Sequence, residues 1–296
     1  MALQTDLDSL TPTRRYDRRD FVRTAVGSGF AAAVLPVAAD AIRTDSDGLT
    51  VGEVLIPSGG FRLPAYRAMP EGQANLPVVL VVSEIFGVHE YIADVVRRFA
   101  KLGYLAIAPE LFVRQGDAPS YGELAKLLSE VIARVPDEQV MGDLDACVDW
   151  AAASGGDARR LGITGFCWGG RIVWLYDAHT DAAKRTPVKA GVAWYGRLVG
   201  TPTPLQPANP IDHAARLAGP VLGLYGGADA GIPPESIERM KQALSAGSPA
   251  ARASQFVVYP DAPHAFHADY RPSYRQAAAE DGWKRCIAWL KAHGVA

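Results

Sequence analysis

The sequence predicts an α/β fold whose mainly parallel sheet carries helices on both faces. Short runs of β-branched and other apolar residues, such as 77–83, are typical of strands buried on both sides of a parallel sheet. Between such runs lie segments whose apolar residues recur with helical spacing, as in residues 90–103. Strands that alternate with amphipathic helices form βαβ units, so most of the sheet is expected to be parallel.

The chain on either side of this first unit follows the same logic. Two segments around Ser58-Gly59-Gly60 alternate apolar and polar residues and predict a β-hairpin at one edge of the sheet. The remaining strands are predicted at residues 104–109, 160–164, 189–196, 220–227 and 254–260. Further helices are predicted at residues 120–135, 137–154, 169–179, 234–244 and 273–294.

The first 39 residues differ from the rest of the chain. An arginine pair, Arg18-Arg19, precedes a short apolar stretch that ends in small residues near Ala39, the layout of a bacterial twin-arginine export signal. We therefore expect an exported, periplasmic protein with one α/β domain at residues 40–296. A disordered basic arm or a short amphipathic helix is the alternative for residues 1–39. The apolar stretch is too short for a stable membrane span.

The composition suits a globular protein that acts on small molecules. Of 296 residues, 49% are hydrophobic and 21% are charged, and the formal net charge is -2 with the basic residues dispersed. Such a charge pattern predicts no nucleic-acid binding. No repeat or low-complexity block suggests a second domain, and we expect a monomer.

One short segment carries the strongest functional signal. Gly165-Phe166-Cys167-Trp168-Gly169 follows a predicted strand, and glycines two residues before and after a central residue are typical of the strand-turn-helix elbow that exposes a nucleophile. The flanking glycines allow strained dihedral angles and close helix packing, and the first amides of the next helix are placed to bind an oxyanion. The alternative is a buried cysteine in a tight turn.

The other cysteines and the histidines do not form a recognisable metal site. Cys147 and Cys286 lie on the apolar sides of helical patterns and are interpreted as core residues, with a disulfide between them left open. No histidine pair has H-E-x-x-H spacing and no cysteine pair has ligand spacing, so no catalytic metal is predicted. Neither G-x-G-x-x-G nor a P-loop follows a strand, so no nucleotide cofactor is expected.

A thiol nucleophile needs a base and an acid that orients the base. Asp229 follows the predicted strand at 220–227, and His264 follows the strand at 254–260. The order nucleophile, acid, histidine is the one that α/β-hydrolases use. Taken singly, the aspartate also fits a turn or helix cap, and the histidine fits a loop. His267 is expected on the wall of the same crevice.

Five motifs between about residue 50 and the end of the chain resemble the dienelactone hydrolase family of α/β-hydrolases. In order they are SEIFGVHE, PELFVRQGD, GFCWGGR, GGADAGIP and HAFHADYRPSY. The resemblance implies an α/β-hydrolase fold, no cofactor, and a catalytic triad of Cys167, Asp229 and His264.

The resemblance also implies which groups surround the triad. Glu84 ends the buried run 77–83 and, taken alone, fits a helix cap; in the family the matching glutamate interacts with the thiol and helps to generate the thiolate. The amides of Trp168 and Ile85 match the oxyanion donors.

The family's substrates are enol lactones whose carboxylate is held by two arginines. Arg114 in LFVRQ matches one of them. Ala268 stands at the usual place of the second, four residues after the histidine, and Arg271 either replaces it or caps the last helix. Tyr195 matches an aromatic residue that lines the pocket.

Together these features predict a hydrolase that opens a small enol lactone, or cleaves a related ester, through an acyl-enzyme on Cys167. A cysteine suits substrates whose leaving group departs easily, because a thiolate is a better leaving group than an alkoxide. A carboxylesterase of broader specificity is the alternative within the enzyme class. Outside that class, a thiol redox protein and a noncatalytic binding module are the alternatives.

Overall fold

The computed structural model describes residues 41–296, and the predicted export signal at 1–39 lies outside these residues. The described chain forms one eight-stranded sheet in the order β1-β2-β4-β3-β5-β6-β7-β8. The strands are β1 Leu49–Ser58, β2 Phe61–Pro70, β3 Leu76–Val82, β4 Leu105–Pro109, β5 Gly156–Phe166, β6 Ala190–Trp194, β7 Val221–Gly226 and β8 Gln255–Tyr259.

The predicted hairpin is confirmed at one edge of this sheet. Strands β1 and β2 pair antiparallel, and β2 then pairs antiparallel with β4. The two-residue turn that joins β1 to β2 has φ of 54° at Gly59 and 78° at Gly60. A tight hairpin turn with both central residues at positive φ favours glycine, which explains the Gly-Gly pair.

The remaining strand pairs, from β4 through β8, are all parallel, as predicted. Every residue of β3, β4, β6 and β7 is buried, which matches their continuous apolar runs. Strand β8 is the far edge and is only partly buried.

Helices cover both faces of the sheet, which confirms the predicted layers. The α-helices are α1 Glu90–Lys101, α2 Leu124–Lys126, α3 Asp137–Ala153, α4 Trp168–Ala182, α5 Pro210–His213, α6 Pro234–Ser245, α7 Pro249–Ala253 and α8 Gln276–Ala292. On β6, a Cβ atom added to Gly191 would meet Val173 of α4, whereas Trp194 lies against Gly282 of α8. Because side chains three residues apart on a strand point to opposite faces, α4 and α8 lie on opposite sides. None of the helices in residues 41–296 combines the length and the apolar character needed to cross a membrane.

The helix predicted at residues 120–135 is wrong as a continuous α-helix. Only α2 is α-helical there, followed by a π-helical stretch at Leu127–Val131 and a 3-10 turn at Ile132–Arg134. The side-chain amide of Gln206, from a distant loop, donates to the carbonyl oxygens of Ile132 and Val135. This tertiary contact satisfies carbonyl groups that a continuing helix would use, and Pro136 then stops the helix.

Candidate active site

The predicted site residues lie where strands end at the carboxyl edge of the sheet. Cys167 stands between β5 and α4, and Glu84 follows β3 by two residues. Asp229 follows β7, and His264 follows β8. In parallel sheets with helices on both faces, this edge is where ligand sites form.

At the elbow, the residue with strained backbone dihedral angles is the cysteine. Cys167 has φ of 54° and ψ of -113°, a conformation that L residues rarely adopt. A Cβ atom on Gly165 would lie 2.3 Å from the carbonyl oxygen of Gly169, and one on Gly169 would lie 2.3 Å from that of Val82. The glycines therefore allow close backbone approach, whereas the expectation that they carry the unusual dihedral angles is wrong.

Asp229 and His264 form a direct pair. His264 Nδ1 lies 2.6 Å from Asp229 Oδ2, and the carboxylate of Asp229 is buried. The other carboxylate oxygen, Oδ1, accepts the amide N–H of Gly231 at 2.8 Å. With both oxygens occupied, the carboxylate fixes the orientation of the imidazole ring.

The protonation of His264 is coupled to Cys167. Burial disfavours the imidazolium, but the negative charge of Cys167, together with hydrogen bonds to Asp229 and to the thiol group, raises the pKa of His264 to about 10. These contacts favour the imidazolium form of His264 beside the sulfur of Cys167. An imidazolium beside the sulfur is the partner that a nucleophilic cysteine requires. The structure thus brings together the three residues that the sequence grouped.

The two amides predicted as oxyanion donors lie just beyond the ends of the neighbouring strands β5 and β3. Trp168 is the first residue of α4, and Ile85 follows Glu84 at the end of β3. Within residues 41–296, neither amide donates a hydrogen bond to another protein atom. Both N–H groups are therefore available to an incoming oxygen atom. The Trp168 ring packs edge-to-face on Phe112, with their centroids 4.8 Å apart.

Glu84 is contacted by side chains from two loops, one after β8 and one just before α1. Tyr270 donates its hydroxyl to Glu84 Oε2 at 2.9 Å, and His89 Nε2 lies 3.7 Å from the same atom. Burial opposes ionisation, but the charge of Arg271, with His89 and Tyr270, lowers the pKa of Glu84 to about 2. The other oxygen, Oε1, is buried and has no hydrogen-bond partner among the described residues. The hydrogen bond of this carboxylate is with Tyr270, and the interaction with the thiol that the resemblance implied stays a prediction.

Arg271 belongs to this cluster and not to a helix cap. Its Nε atom donates to the hydroxyl of Tyr270 at 3.2 Å, and its guanidinium lies 5.3 Å from the ring of Phe86. The residue at the cap of α8 is Arg275. Of the two alternatives left open for Arg271, the structure therefore supports a place beside Glu84.

Arg114 is held in a structural ion pair. Its guanidinium binds both carboxylate oxygens of Asp143 on α3, at 2.5 and 2.8 Å, and also donates to the carbonyl of Ser58. The same group stacks over Phe61 at 4.4 Å. The ion pair with a buried carboxylate gives Arg114 a structural role, and the substrate-binding role that the resemblance implied stays a prediction.

Tyr195 and His267 take different places. Tyr195 is buried with φ of 40°, and its ring contacts His264 with centroids 5.1 Å apart. His267 is also buried, so its expected place on the crevice wall is wrong; it pairs with the hydroxyl of Tyr91 and packs against Trp194. Burial lowers the pKa of His267 to about 3, which keeps it neutral.

Two residues of the site were not singled out from sequence. Tyr270 binds Glu84, and His89 lies beside both of them, with its ring centroid 5.2 Å from that of Tyr270. Their contacts join loops separated by about 180 positions, so no local pattern marks them. The signals in the sequence were the place of His89 within SEIFGVHE and that of Tyr270 within HAFHADYRPSY.

Cys147 and Cys286 are both fully buried and free, so the disulfide alternative is wrong and their interpretation as core residues is confirmed. In the part of the chain that the structure describes, no group of three or more histidine, cysteine, aspartate or glutamate side chains has the arrangement of a metal site.

Comparison with known proteins identifies the family of this chain. The sequence profile of the dienelactone hydrolase family matches residues 63–294. The chain belongs to that family. Its α/β-hydrolase fold and the prediction of a carboxylic ester hydrolase of this family are confirmed at that level.

Three relatives are each similar to this chain over 80% or more of its length. A Methylorubrum extorquens protein provisionally named carboxymethylenebutenolidase is 57% identical over 297 residues, covering 100% of this chain and 99% of the relative. A crystal structure provisionally described as a dienelactone hydrolase, from Klebsiella pneumoniae, is 53% identical with a TM-score of 0.78, over 82% of this chain and 98% of that one. A Bradyrhizobium protein provisionally named 2-oxo-3-(5-oxofuran-2-ylidene)propanoate lactonase is 30% identical over 239 residues, covering 80% of this chain and 91% of the relative.

Proposed function

We propose that this family member hydrolyses a small enol lactone or a related activated ester through a covalent intermediate on Cys167. The observation that carries the proposal is the coupling of the elbow thiol to the His264–Asp229 pair, which raises the pKa of His264 to about 10. A thiolate beside an imidazolium, at the end of a central strand, is an activated nucleophile. The lactone named for the Bradyrhizobium relative agrees with this substrate class.

In the first half of the reaction, the Cys167 thiolate attacks the carbonyl carbon and forms a carbon–sulfur bond. The carbonyl electrons move to oxygen, and the amides of Trp168 and Ile85 hold the resulting oxyanion. The intermediate collapses with cleavage of the carbon–oxygen bond, and the imidazolium of His264 gives its proton to the departing enolate or alkoxide. In a lactone, the leaving group stays attached to the acyl chain.

In the second half, His264 takes a proton from water, and the resulting hydroxide attacks the thioester. The carbon–sulfur bond breaks, Cys167 leaves as a thiolate, and the carboxylic acid product departs. Asp229 keeps the imidazole ring oriented in both halves. An enol lactone suits this route, because its enolate leaves readily and the first intermediate does not revert to thiolate and substrate.

The decisive experiment compares hydrolysis of an enol lactone and of a 4-nitrophenyl ester by the wild type and by Cys167→Ala. We expect kcat to fall at least about a thousandfold with both substrates, because the covalent route is lost. Cys147→Ala, which removes a buried thiol outside the site, is the matched control and should keep its activity per folded molecule.

The alternatives make different predictions in the same experiment. A carboxylesterase of broader specificity would hydrolyse the simple ester at least as well as the enol lactone. A thiol redox protein would form a sulfenate with peroxide without ester turnover. A noncatalytic binding module would bind the lactone equally well after Cys167→Ser. Substantial turnover by Cys167→Ala would overturn the nucleophile assignment.

Export through the twin-arginine route is a separate proposal, and it rests on the sequence of residues 1–39. It is tested by expressing the full chain and an Arg18→Lys/Arg19→Lys variant in a bacterium, and following the protein in the periplasmic fraction. Accumulation of the wild type there, and not of the variant, is the expected result. The monomeric state stays a prediction, to be measured by light scattering.

A further inference from the structure

A carboxyl group that the proposed reaction does not use lies against the loop that carries one of the two proposed oxyanion donors. Glu110 follows β4 directly, and the loop at residues 83–89 follows the neighbouring parallel strand β3. Glu110 Oε1 accepts the amide N–H of Val88 at 3.0 Å, across 22 positions of the chain. Because Ile85 belongs to the same loop, this contact joins the end of β4 to the segment that presents an oxyanion amide.

The loop is shaped to admit this carboxyl group. Gly87 has φ of 75°, in the left-handed region that favours glycine. A Cβ atom on Gly87 would lie 2.8 Å from Glu110 Oε2, so a side chain at this position would displace the carboxyl group. Gly87 and Val88 are both buried. The two oxygens of Glu110 therefore lie against two successive buried residues of the loop.

The backbone of Glu110 is fixed, whereas the amides of the loop have few partners. The amide of Glu110 donates to the carbonyl of Pro64 on β2 at 2.9 Å. Among the described residues, Val88 is the one member of 85–88 whose amide donates a hydrogen bond to the protein. Without its acceptor, this buried N–H would lose its partner, and the loop would have to move to satisfy it. The position of the Ile85 amide therefore depends on Glu110.

The charge of Glu110 opposes folding, which indicates a role other than stability. Burial, with the negative charges of Asp117 and Glu53, raises the pKa of Glu110 to about 7, although the hydrogen bond from Val88 lowers it. The stability that the protonated acid contributes is complete below its ordinary pKa of 4.5 and is lost as the pH rises through about 7. A buried acid that is costly to ionise, at the ligand-binding edge of the sheet, is typical of a functional site.

We propose that Glu110 is a positioning residue for the oxyanion site, which holds the loop at 83–89 so that the amide of Ile85 meets the oxygen of the tetrahedral intermediate. This inference rests on the proposed function. Glu110 acts through Val88 and does not touch the substrate. An oxyanion donor acts on charge that develops during the reaction, so a misplaced amide lowers kcat more than it raises KM.

The test compares Glu110→Ala, Glu110→Asp and Glu110→Gln on an enol lactone and a 4-nitrophenyl ester. Alanine removes the acceptor and aspartate withdraws it by one methylene group, so we expect kcat to fall about tenfold in both variants, with KM changing less than about twofold. Glutamine keeps an oxygen that accepts the Val88 N–H and should stay within about threefold of the wild type. Glu71→Ala, which removes an exposed glutamate after β2, is the control and should change neither constant.

Two reactions of Cys167 without turnover separate positioning from general distortion. A trifluoromethyl ketone adds to the thiolate and forms a tetrahedral oxyanion, whereas alkylation by iodoacetamide forms none. We expect Glu110→Ala and Glu110→Asp to weaken inhibition by the ketone about tenfold, and to leave the alkylation rate within about twofold of the wild type. A merely structural role would slow alkylation as well, and glutamine would not restore the ketone affinity.

Wild-type kcat and ketone affinity in Glu110→Ala and Glu110→Asp would overturn the inference. So would equal losses in ketone affinity and alkylation rate, or a loss in Glu110→Gln as large as that in Glu110→Asp. The proposed function fails separately, through turnover by Cys167→Ala. An inactive Cys167→Ala beside fully active Glu110 variants would overturn the role of Glu110 alone.

Discussion

Two regions of the chain contain a glycine and a cysteine in different surroundings. One is the elbow between β5 and α4, and the other is the helix α3, which precedes β5. The elbow has Gly165 and Cys167, and α3 has Gly142 and Cys147. At the elbow, the glycine touches backbone and the cysteine has a left-handed conformation beside a histidine. In α3, the glycine faces open space and the cysteine is an apolar core residue. Backbone approach and charge, more than residue type, decide what each does.

The largest expected effect is on stability, and it comes from replacing each of the two glycines with alanine. Gly165→Ala would place a Cβ atom 2.3 Å from the carbonyl oxygen of Gly169, and we expect it to lower the free energy of unfolding by about 3–5 kcal/mol. Gly142→Ala meets no atom within 4 Å and should raise that free energy by about 0.5–1 kcal/mol, because alanine favours the helix. Urea unfolding of both variants measures the difference. Similar stabilities for the two variants would contradict the close packing at the elbow.

The next effect concerns the thiols. Burial raises the pKa of Cys147 and of Cys286, whereas Cys167 is partly exposed. At neutral pH we expect iodoacetamide to label Cys167 at least about a hundredfold faster than the other two, because only a reachable thiolate reacts. Mass spectrometry of the native protein should find one modified cysteine, and the denatured protein three. Labelling of either core cysteine at a comparable rate would break the contrast.

The smallest effect is a pH dependence of stability. The pKa of His264 is raised from an ordinary 6.5 to about 10, so the folded protein binds a proton at His264 more tightly than the unfolded chain does. This stabilisation is fully present below about pH 6.5 and is lost as the pH rises through about 10. We therefore expect the Tm of the wild type to exceed that of His264→Gln by about 5 °C at pH 6 and to approach it above pH 10.

The control for this prediction is His293→Gln. Burial lowers the pKa of His293, at the end of α8, so its removal cannot produce a difference that disappears in alkali. A Tm difference between the wild type and His264→Gln that stays constant from pH 6 to pH 10.5 would show that the imidazolium is not stabilised in the folded protein.

Much of the fold could be predicted from sequence because it depends on local patterns. Continuous apolar runs and helical spacing place the parallel strands and the long helices, and the Gly59-Gly60 turn marks the hairpin. The broken helix at residues 120–135 could not be predicted, because the cause is Gln206, about 70 positions away. A pattern of apolar residues does not record which distant side chain competes for a carbonyl group.

In the candidate site, too, some features could be predicted from sequence and others could not. The places of Cys167, Asp229 and His264 follow from motifs at strand ends, and the structure brings them together. The partners of Glu84 and Arg114 could not be predicted, because Tyr270 and Asp143 come from other loops and helices. Motifs locate a side chain along the chain, whereas its charge partner is set by the packing of separate elements.

The pair between Arg114 and Asp143 has a consequence for evolution within the family. One acidic residue on α3, 29 positions along the chain from the arginine of LFVRQ, holds that arginine in an ion pair. A relative that keeps the arginine but has a neutral residue at the position of Asp143 would regain a mobile cation without any change in the motif itself. Substrate preference in such proteins can therefore diverge through a residue outside the motif.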